Sequence, residues 1–305
     1  MLTFIQRRFV SSAITLAGVV VMVFFLARMT GSPVDLFFPE GASPERIEAF
    51  NKAYGLDRPV IEQFGIFLWK AVHGDFGTSI WQQRSAMTAA WNEMPLTLLL
   101  AVISMTVSVI VALVLGCLAA TNRFGFVDRF VTFISLVAGS VPSFWFALVG
   151  ILLFAVEWRL LPTSGNATAL AWILPVATLC LGPIGVLTQV VRGAMIDVLT
   201  SGYIRNAKAR GFSGRRLVYR HALRNAALPI ISVAGDIAAG MVNGAVIVGV
   251  VFAFPGIGKL IVGAILNRDF PVLQASVVVV GICVILLNLL VDVIYIVVDP
   301  RVRLS

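Results

Sequence analysis

Residues 203–229, YIRNAKARGFSGRRLVYRHALRNAALP, are polar, basic and punctuated by glycine, and they separate two long apolar runs. The segment holds seven of the chain's 23 Lys and Arg residues. Its flanks decide the fold. Hydrophobic residues make up 59% of the chain and charged residues 12%, against about 25% charged in ordinary soluble domains. An apolar run of roughly 20 residues crosses about 30 Å of hydrocarbon as a helix. Six such runs are read, over residues 9–29, 95–120, 130–156, 171–191, 228–251 and 272–298. The expected fold is therefore all-α: a polytopic membrane protein of six transmembrane helices, forming one domain over residues 1–305.

Net charge is +8, but its distribution argues against a nucleic-acid partner. The N-terminus (Arg7, Arg8), the turn with Arg123 and Arg129, the 192–227 loop and the tail (Arg301, Arg303) hold fourteen basic residues. They carry only three acids, Asp128, Asp197 and Asp299. The alternate loops hold nine basic and ten acidic residues. This positive-inside bias places both termini and the 192–227 loop in the cytosol, which an even number of spans allows.

Cys117, Cys180 and Cys283 each lie alone in an apolar run, without ligand spacing, and are read as small core residues. Arg7-Arg8-Phe9 superficially resembles a twin-arginine signal. The apolar run that follows, about 19 residues, exceeds the usual 7–15 of a signal core, so a retained first span is expected.

Residues 30–94 form the one sizeable external segment. Ser43-Pro44 reads as an N-cap and first helical position and Gly55 as a stop, with Ile47, Phe50 and Tyr54 on one face. A second helix begins near Asp57-Arg58-Pro59 and ends by Gly74, with Val60, Phe64, Phe67 and Leu68 at helical spacing. Trp69, Trp81 and Trp91 suit a membrane–water interface. A small helical cap and a mere spacer both remain open. Residues 254–271, between the last two runs, are short and glycine-rich, and within them Phe254 to Leu260 is read as a turn.

In the opening segment, Tyr203 to Arg210 favour a short helix, Gly211 can supply a left-handed stop, and Ser213 can cap a second helix. On that second helix Arg216, Arg220 and Arg224 recur every four residues as a basic stripe. Val218, Ala222 and Ala226, with Tyr219 and Leu223 beside them, make an apolar flank. Like charges at this spacing repel by a few tenths of a kcal/mol per pair, roughly, so an acidic surface nearby relieves them. Topogenic charge explains the sign but not the helix–Gly–helix punctuation. A DNA-binding helix-turn-helix tethered at both ends to membrane spans would hardly enter a groove. Docking of a cytosolic protein accounts for both features.

Asp236, Asn243, Asn288 and Asp292 lie within the last two runs and should face protein or water. They are candidate path residues, with a structural role for Asp292 equally open. Gly235, Gly240, Gly244 and Gly249 give the fifth run a small-residue surface for close helix contact. The run Phe254-Pro255-Gly256-Ile257-Gly258-Lys259-Leu260 fails as a phosphate loop, because Ala253 and Leu260 stand where Gly and Ser or Thr are needed. His73 and His221 are isolated, and no catalytic constellation is visible, so an enzyme is not expected.

Taken in order, several pieces resemble one family. They are Tyr54-Gly55-Leu56-Asp57-Arg58-Pro59, Gly74-Asp75-Phe76-Gly77, Met94-Pro95-Leu96-Thr97, Pro142-Ser143-Phe144-Trp145 with Leu161-Pro162, Phe252, Pro255-Gly256-Ile257-Gly258, Arg268-Asp269, Asn288-Leu289 through Asp292 and Tyr295, and Asp299-Pro300-Arg301. The chain is similar throughout to permease subunits of binding-protein-dependent ABC importers, in the dipeptide/oligopeptide/nickel branch. The resemblance implies a type I importer fold with an external helical cap and a coupling loop over 192–227. It implies a bacterial cytoplasmic membrane setting and half of a translocation path for peptides. The implied partners are a second homologous permease, two cytosolic ATPase subunits, an external solute-binding protein and membrane lipid. No cofactor is implied in this chain, since ATP and Mg would be bound by the ATPase subunits.

By position, Ala207 matches the second alanine of the family's coupling motif and Gly211 its glycine. Arg205 replaces the general glutamate and Asn206 the first alanine. The coupling set implied is thus Arg205, Ala207, Gly211, Ser213, Arg216, Arg220 and Arg224. Gly249 stands where similar sequences often carry glutamate, which puts a carboxylate role there in doubt. The rival reading is a secondary transporter or channel that works without ATPases.

Overall fold

The structure, a computed structural model, describes residues 2–38, 42–212 and 214–298. α1 (Leu2–Met29) is followed by three short helices, α2 (Val34–Phe37), α3 (Pro44–Tyr54) and α4 (Val60–Val72). Then come α5 (Ala86–Thr121), α6 (Phe126–Ser140) and α7 (Ser143–Gly150), which continues as wide i→i+5 turns over Ile151–Glu157. α8 (Ile173–Leu199) leads to α9 (Gly202–Ala209), the single turn α10 (Gly214–Arg216) and further wide turns over Leu217–Ala222. α11 (Leu223–Val251), α12 (Ile257–Leu266) and α13 (Phe270–Val298) complete the order.

Among the described residues, five helices are long and apolar enough to cross a bilayer: Val10–Met29, Ala86–Thr121, Ala169–Leu199, Leu217–Val251 and Phe270–Val293. The span expected over 130–156 is a pair, Phe126–Ser140 and Ser143–Glu157, bent by 98°. It supplies a sixth crossing only if the pair counts as one. The break has a local cause. Val141 precedes a proline and is extended (φ −79°, ψ 124°), and Pro142 has no N–H to continue the ladder.

Two other expectations are corrected. α8 runs on to Leu199, well into the segment read as the 192–227 loop. Arg192 marked no helix end, because its charge is met within the bundle. The turn read over 254–260 gives way at Ile257 to α12, whose Ile257, Leu260, Ile261 and Ala264 fall at helical spacing.

The chain groups into two compact units, Leu98–Phe254 with Leu286–Ser305, and Leu2–Thr97 with Pro255–Ile285. In the first, α8 packs on α6, α7 and α11. Glycine permits the approach to α6: a Cβ at Gly185 would meet Ser135 O at 2.5 Å and Gly139 N at 2.6 Å, both backbone atoms. Buried Asp128, in the first turn of α6, takes the Arg192 guanidinium of α8 in two hydrogen bonds of 2.5 and 2.9 Å. It also accepts the Phe124 N–H at 2.9 Å. Such a bidentate, charge-assisted pair fixes the roll of both helices as well as their separation.

In the second unit the segment after α1 is a folded cap, not a spacer. Gly55 stops α3 at φ +67°, as read, whereas Ser43 makes no side-chain cap bond. Buried Phe50 lies 5.1 Å from the Phe37 ring and 4.7 Å from Tyr54, and Phe37 reaches Trp81 at 5.3 Å. Phe64 and Phe67 of α4 each sit 5.1 Å from the Phe24 ring of α1. Lys52, 2.7 Å away, holds the Glu48 carboxyl below its ordinary range, but the pair is exposed and adds little. Side-chain bonds across long sequence distances fasten the rest. Ser79 Oγ donates to buried Asp269, Trp81 Nε1 to Asn267 O (2.8 Å) and the Ile257 N–H to Thr97 Oγ1 (3.0 Å). Arg268 donates to Ser32 O (2.7 Å) and pairs with Asp35 (2.9 Å).

Candidate functional site

The short helix α9 sits where the chain leaves α8. Ser201 Oγ donates to Val198 O at 2.6 Å and turns the backbone, and eight residues later the helix is over. Ile204 and Ala207, three residues apart, face inward and are buried. They join one core with Val191 and Met195 of α8, Cys117 of α5, and Leu217, Ala222 and Ala226 beyond the loop. The other face, with Tyr203, Arg205, Asn206 and Arg210, is exposed. Arg210 N–H donates to Asn206 O (3.1 Å) and Phe212 N–H to Ala207 O (3.2 Å), closing the end around Gly211 at φ +87°. This is the left-handed stop expected from sequence. Nothing lies within 4 Å of a Cβ added at Gly211, so the demand there is conformational rather than steric.

Ser213 lies outside the described residues, as do Asp299, Pro300 and the tail arginines Arg301 and Arg303. From Gly214 the chain passes through the wide turns into α11 without a break, so the second limb of the loop is the root of a span. Arg216, Arg220 and Arg224 are all exposed, while Ala222 and Ala226 are buried behind them. None of Arg205, Arg210, Arg216, Arg220 and Arg224 has an acidic partner among the described residues. His221 is not isolated: the Tyr203 hydroxyl lies 3.1 Å from its Nδ1 and the Phe212 ring 4.9 Å from its own. It ties the two limbs together. Ala207, read as a coupling residue, belongs to the buried face; its place is to seat α9.

Asp236 and Asn243 are exposed with Gly240, Ile247 and Val250 on one face of α11. Asn288 and Asp292 of α13 are half-buried. Gly235 closely faces Val291, where a Cβ would meet Cγ1 at 2.5 Å, so Asp236 and Asp292 each neighbour a helix contact. Gly249 is buried and its carbonyl accepts the Phe254 N–H at 2.8 Å, a backbone role in the turn after α11. Among the described residues no group of three or more His, Cys, Asp or Glu side chains is placed to hold a metal ion. Sequence reading missed the Asp128–Arg192 pair. The two lie 64 residues apart, and each was legible only as a loop charge.

Membrane-length helices with a short, one-face-buried helix seated between two of them define a class, the multi-pass transport permeases. Residues 112–304 match the family described as binding-protein-dependent transport system inner membrane component, and residues 1–101 match its N-terminal counterpart. The chain belongs to this family. It is 35% identical to the oligopeptide transport system permease protein OppB of Haemophilus influenzae, over 99% of this chain and 100% of that protein. It is 33% identical to the oligopeptide permease AppB of Bacillus subtilis, over 99% and 100% of the two chains. The dipeptide permease DppB of Lactococcus lactis is likewise 33% identical over the whole of both. Among solved structures it resembles a chain of the inward-facing MetNI methionine ABC transporter, with a TM-score of 0.60 at 19% identity, covering 69% of this chain and 96% of that one. An amino acid ABC transporter chain gives 0.53 at 14%, covering 67% and 91%. At these identities the likeness speaks for the fold alone, the one these two ABC transporter chains share.

Proposed function

We propose that this chain is a non-catalytic transmembrane subunit of an ATP-driven importer and forms half of a path for peptides across the bacterial cytoplasmic membrane. A second, homologous permease completes the path, an external binding protein delivers the solute, and two cytosolic ATPase subunits bind ATP and Mg²⁺. The names of the relatives support the peptide reading, and the charge bias supports cytosolic termini. One observation carries the coupling role: α9 is fastened on one face by Ile204 and Ala207 and presents Arg205, Asn206 and Arg210 on the other. A helix held this way transmits displacement instead of absorbing it. Closure of the ATPase pair on ATP moves α9, and the core it shares with α8 and the root of α11 passes the movement to the spans. Two arrangements of the bundle are then biased by one contact.

The test is the chain carrying Asn206→Cys, co-expressed with its candidate ATPase and permease partners. A crosslink from position 206 to an ATPase subunit, together with dipeptide uptake into vesicles that requires ATP, supports the reading. Labelling of position 206 from the outside of intact cells, or uptake by the purified chain alone on an ion gradient, overturns it in favour of a secondary transporter.

A further inference from the structure

α4 carries more apolar surface than its place in the fold uses. At 100° per residue, Phe67, Val60, Ala71, Phe64, Leu68, Ile61, Val72, Gly65 and Trp69 sweep an arc of about 200° around the helix, twice the stripe that a core-facing helix needs. Glu62, Lys70 and Gln63 occupy most of the remainder, with Ile66 the one apolar side chain between Glu62 and Lys70. Half of the arc is spent on α1, through Phe64 and Phe67 against Phe24. The other half is bare: Ile61 is 72% exposed, Leu68 38%, Trp69 72% and Val72 83%.

The position of α4 along α1 says what covers it. Phe24 lies five residues, about 7 Å, before the end of the span Val10–Met29. Phe25 faces outward from α1 and its ring is 5.2 Å from Phe64, so the lipid-facing side of α1 continues onto α4. Arg28, in the last turn of α1, donates to Gln63 Oε1 at 3.0 Å and so marks the polar level on the opposite side of α4. Trp69 and Lys70 are residue types that settle at headgroup depth.

We infer that α4 lies in the plane of the headgroup–acyl boundary, with Ile61, Leu68, Trp69 and Val72 in lipid and Glu62 and Lys70 in water. Interfacial helices sink about 5–10 Å below the headgroups, which matches the depth set by Phe24. In this position the cap is anchored to the bilayer as well as to α1.

Nitroxide labels on single cysteines at 61, 62, 68, 69, 70 and 72 test this. The full chain, with Cys117, Cys180 and Cys283 replaced, is assembled with its partners and reconstituted in liposomes. The expected result is several-fold greater collision with oxygen than with a water-soluble nickel chelate at 61, 68, 69 and 72, and the reverse at 62 and 70. Should W69C not accumulate, the contrasts of 61 with 62 and of 72 with 70 decide. Chelate access at 61 and 72 overturns the inference, because the face is then wet. Exclusion of both probes there overturns it too, because a protein then covers the face.

Discussion

Gly211 is needed for its φ of +87° and not for lack of room. A non-glycine residue in this region costs about 1–2 kcal/mol, and asparagine less than most. Gly211→Asn is therefore expected to keep ATP-dependent uptake near the original level. Gly211→Val should lower it roughly tenfold while membrane insertion stays normal, since about 1.4 kcal/mol is a factor of ten. Uptake by vesicles of matched protein content checks the pair. Asp128 poses a different demand. Its loss strands a guanidinium inside the bundle, and removing one member of a buried pair costs about 3–5 kcal/mol. Arg192 keeps a quarter of its side chain exposed, so Asp128→Ala should fall at the lower end, and Asp128→Leu with Arg192→Met should recover much of the loss. Inactivation half-life in detergent at fixed temperature measures both. Sequence disclosed the first residue and not the second, because a glycine in a polar loop signals its own backbone whereas an ion pair signals only through its partner.

At the scale of elements, the helices that were hard to read are those whose cause lies elsewhere in the fold. α12 contains Gly258 and Gly263 and begins after Gly256, so local propensity disfavours it. Tertiary packing decides: Ile257, Gly258 and Ala264 are buried, and the Ile257 N–H is met by Thr97. The bend at Val141 was legible in Pro142 but was overridden by the continuous apolar run on either side. α3 and α9 were read closely, because proline or glycine marks their ends. The α6–α8 contact was not read at all, although it is as strict as any turn. Gly185→Leu would drive a side chain into the Ser135 carbonyl and the Gly139 backbone, neither of which can rotate away. The expected outcome is failure of the chain to accumulate in the membrane, with Gly182→Leu, where a Cβ meets nothing within 4 Å, as the tolerated control. Immunoblots of membrane fractions distinguish them.

For the whole molecule, the ordered pieces of sequence that suggested a family turn out to be contact partners. Thr97 meets Ile257, and Gly77 approaches Pro271 next to the Ser79–Asp269 bond. Their order along the chain could be seen in the sequence; their meeting could not, because periodicity carries no information about residues 160 or more positions apart. The exposed arginines have a consequence at the same scale. If the proposed ATPase subunits dock here, five guanidiniums without acidic partners among the described residues should make their retention sensitive to salt, because exposed charges beyond about 10 Å are screened at 0.1 M. Reversing Arg216, Arg220 and Arg224 to Glu is expected to weaken retention about tenfold at low salt and much less at high salt. Co-purification across a salt series reads this directly; equal retention at all concentrations would assign those arginines elsewhere.

The helix from Leu217 to Val251 is unbroken over 35 residues, about 52 Å at 1.5 Å per residue. Under the proposed coupling role it would act as a lever whose root, at Leu217, receives the push. A tilt of about 5° at the root, pivoting there, swings the end at Val251 by roughly 4–5 Å over that length. A stroke of that size exceeds the width of a water molecule, about 2.8 Å, so a modest push at the root would be enough to open or shut a gap at the far end.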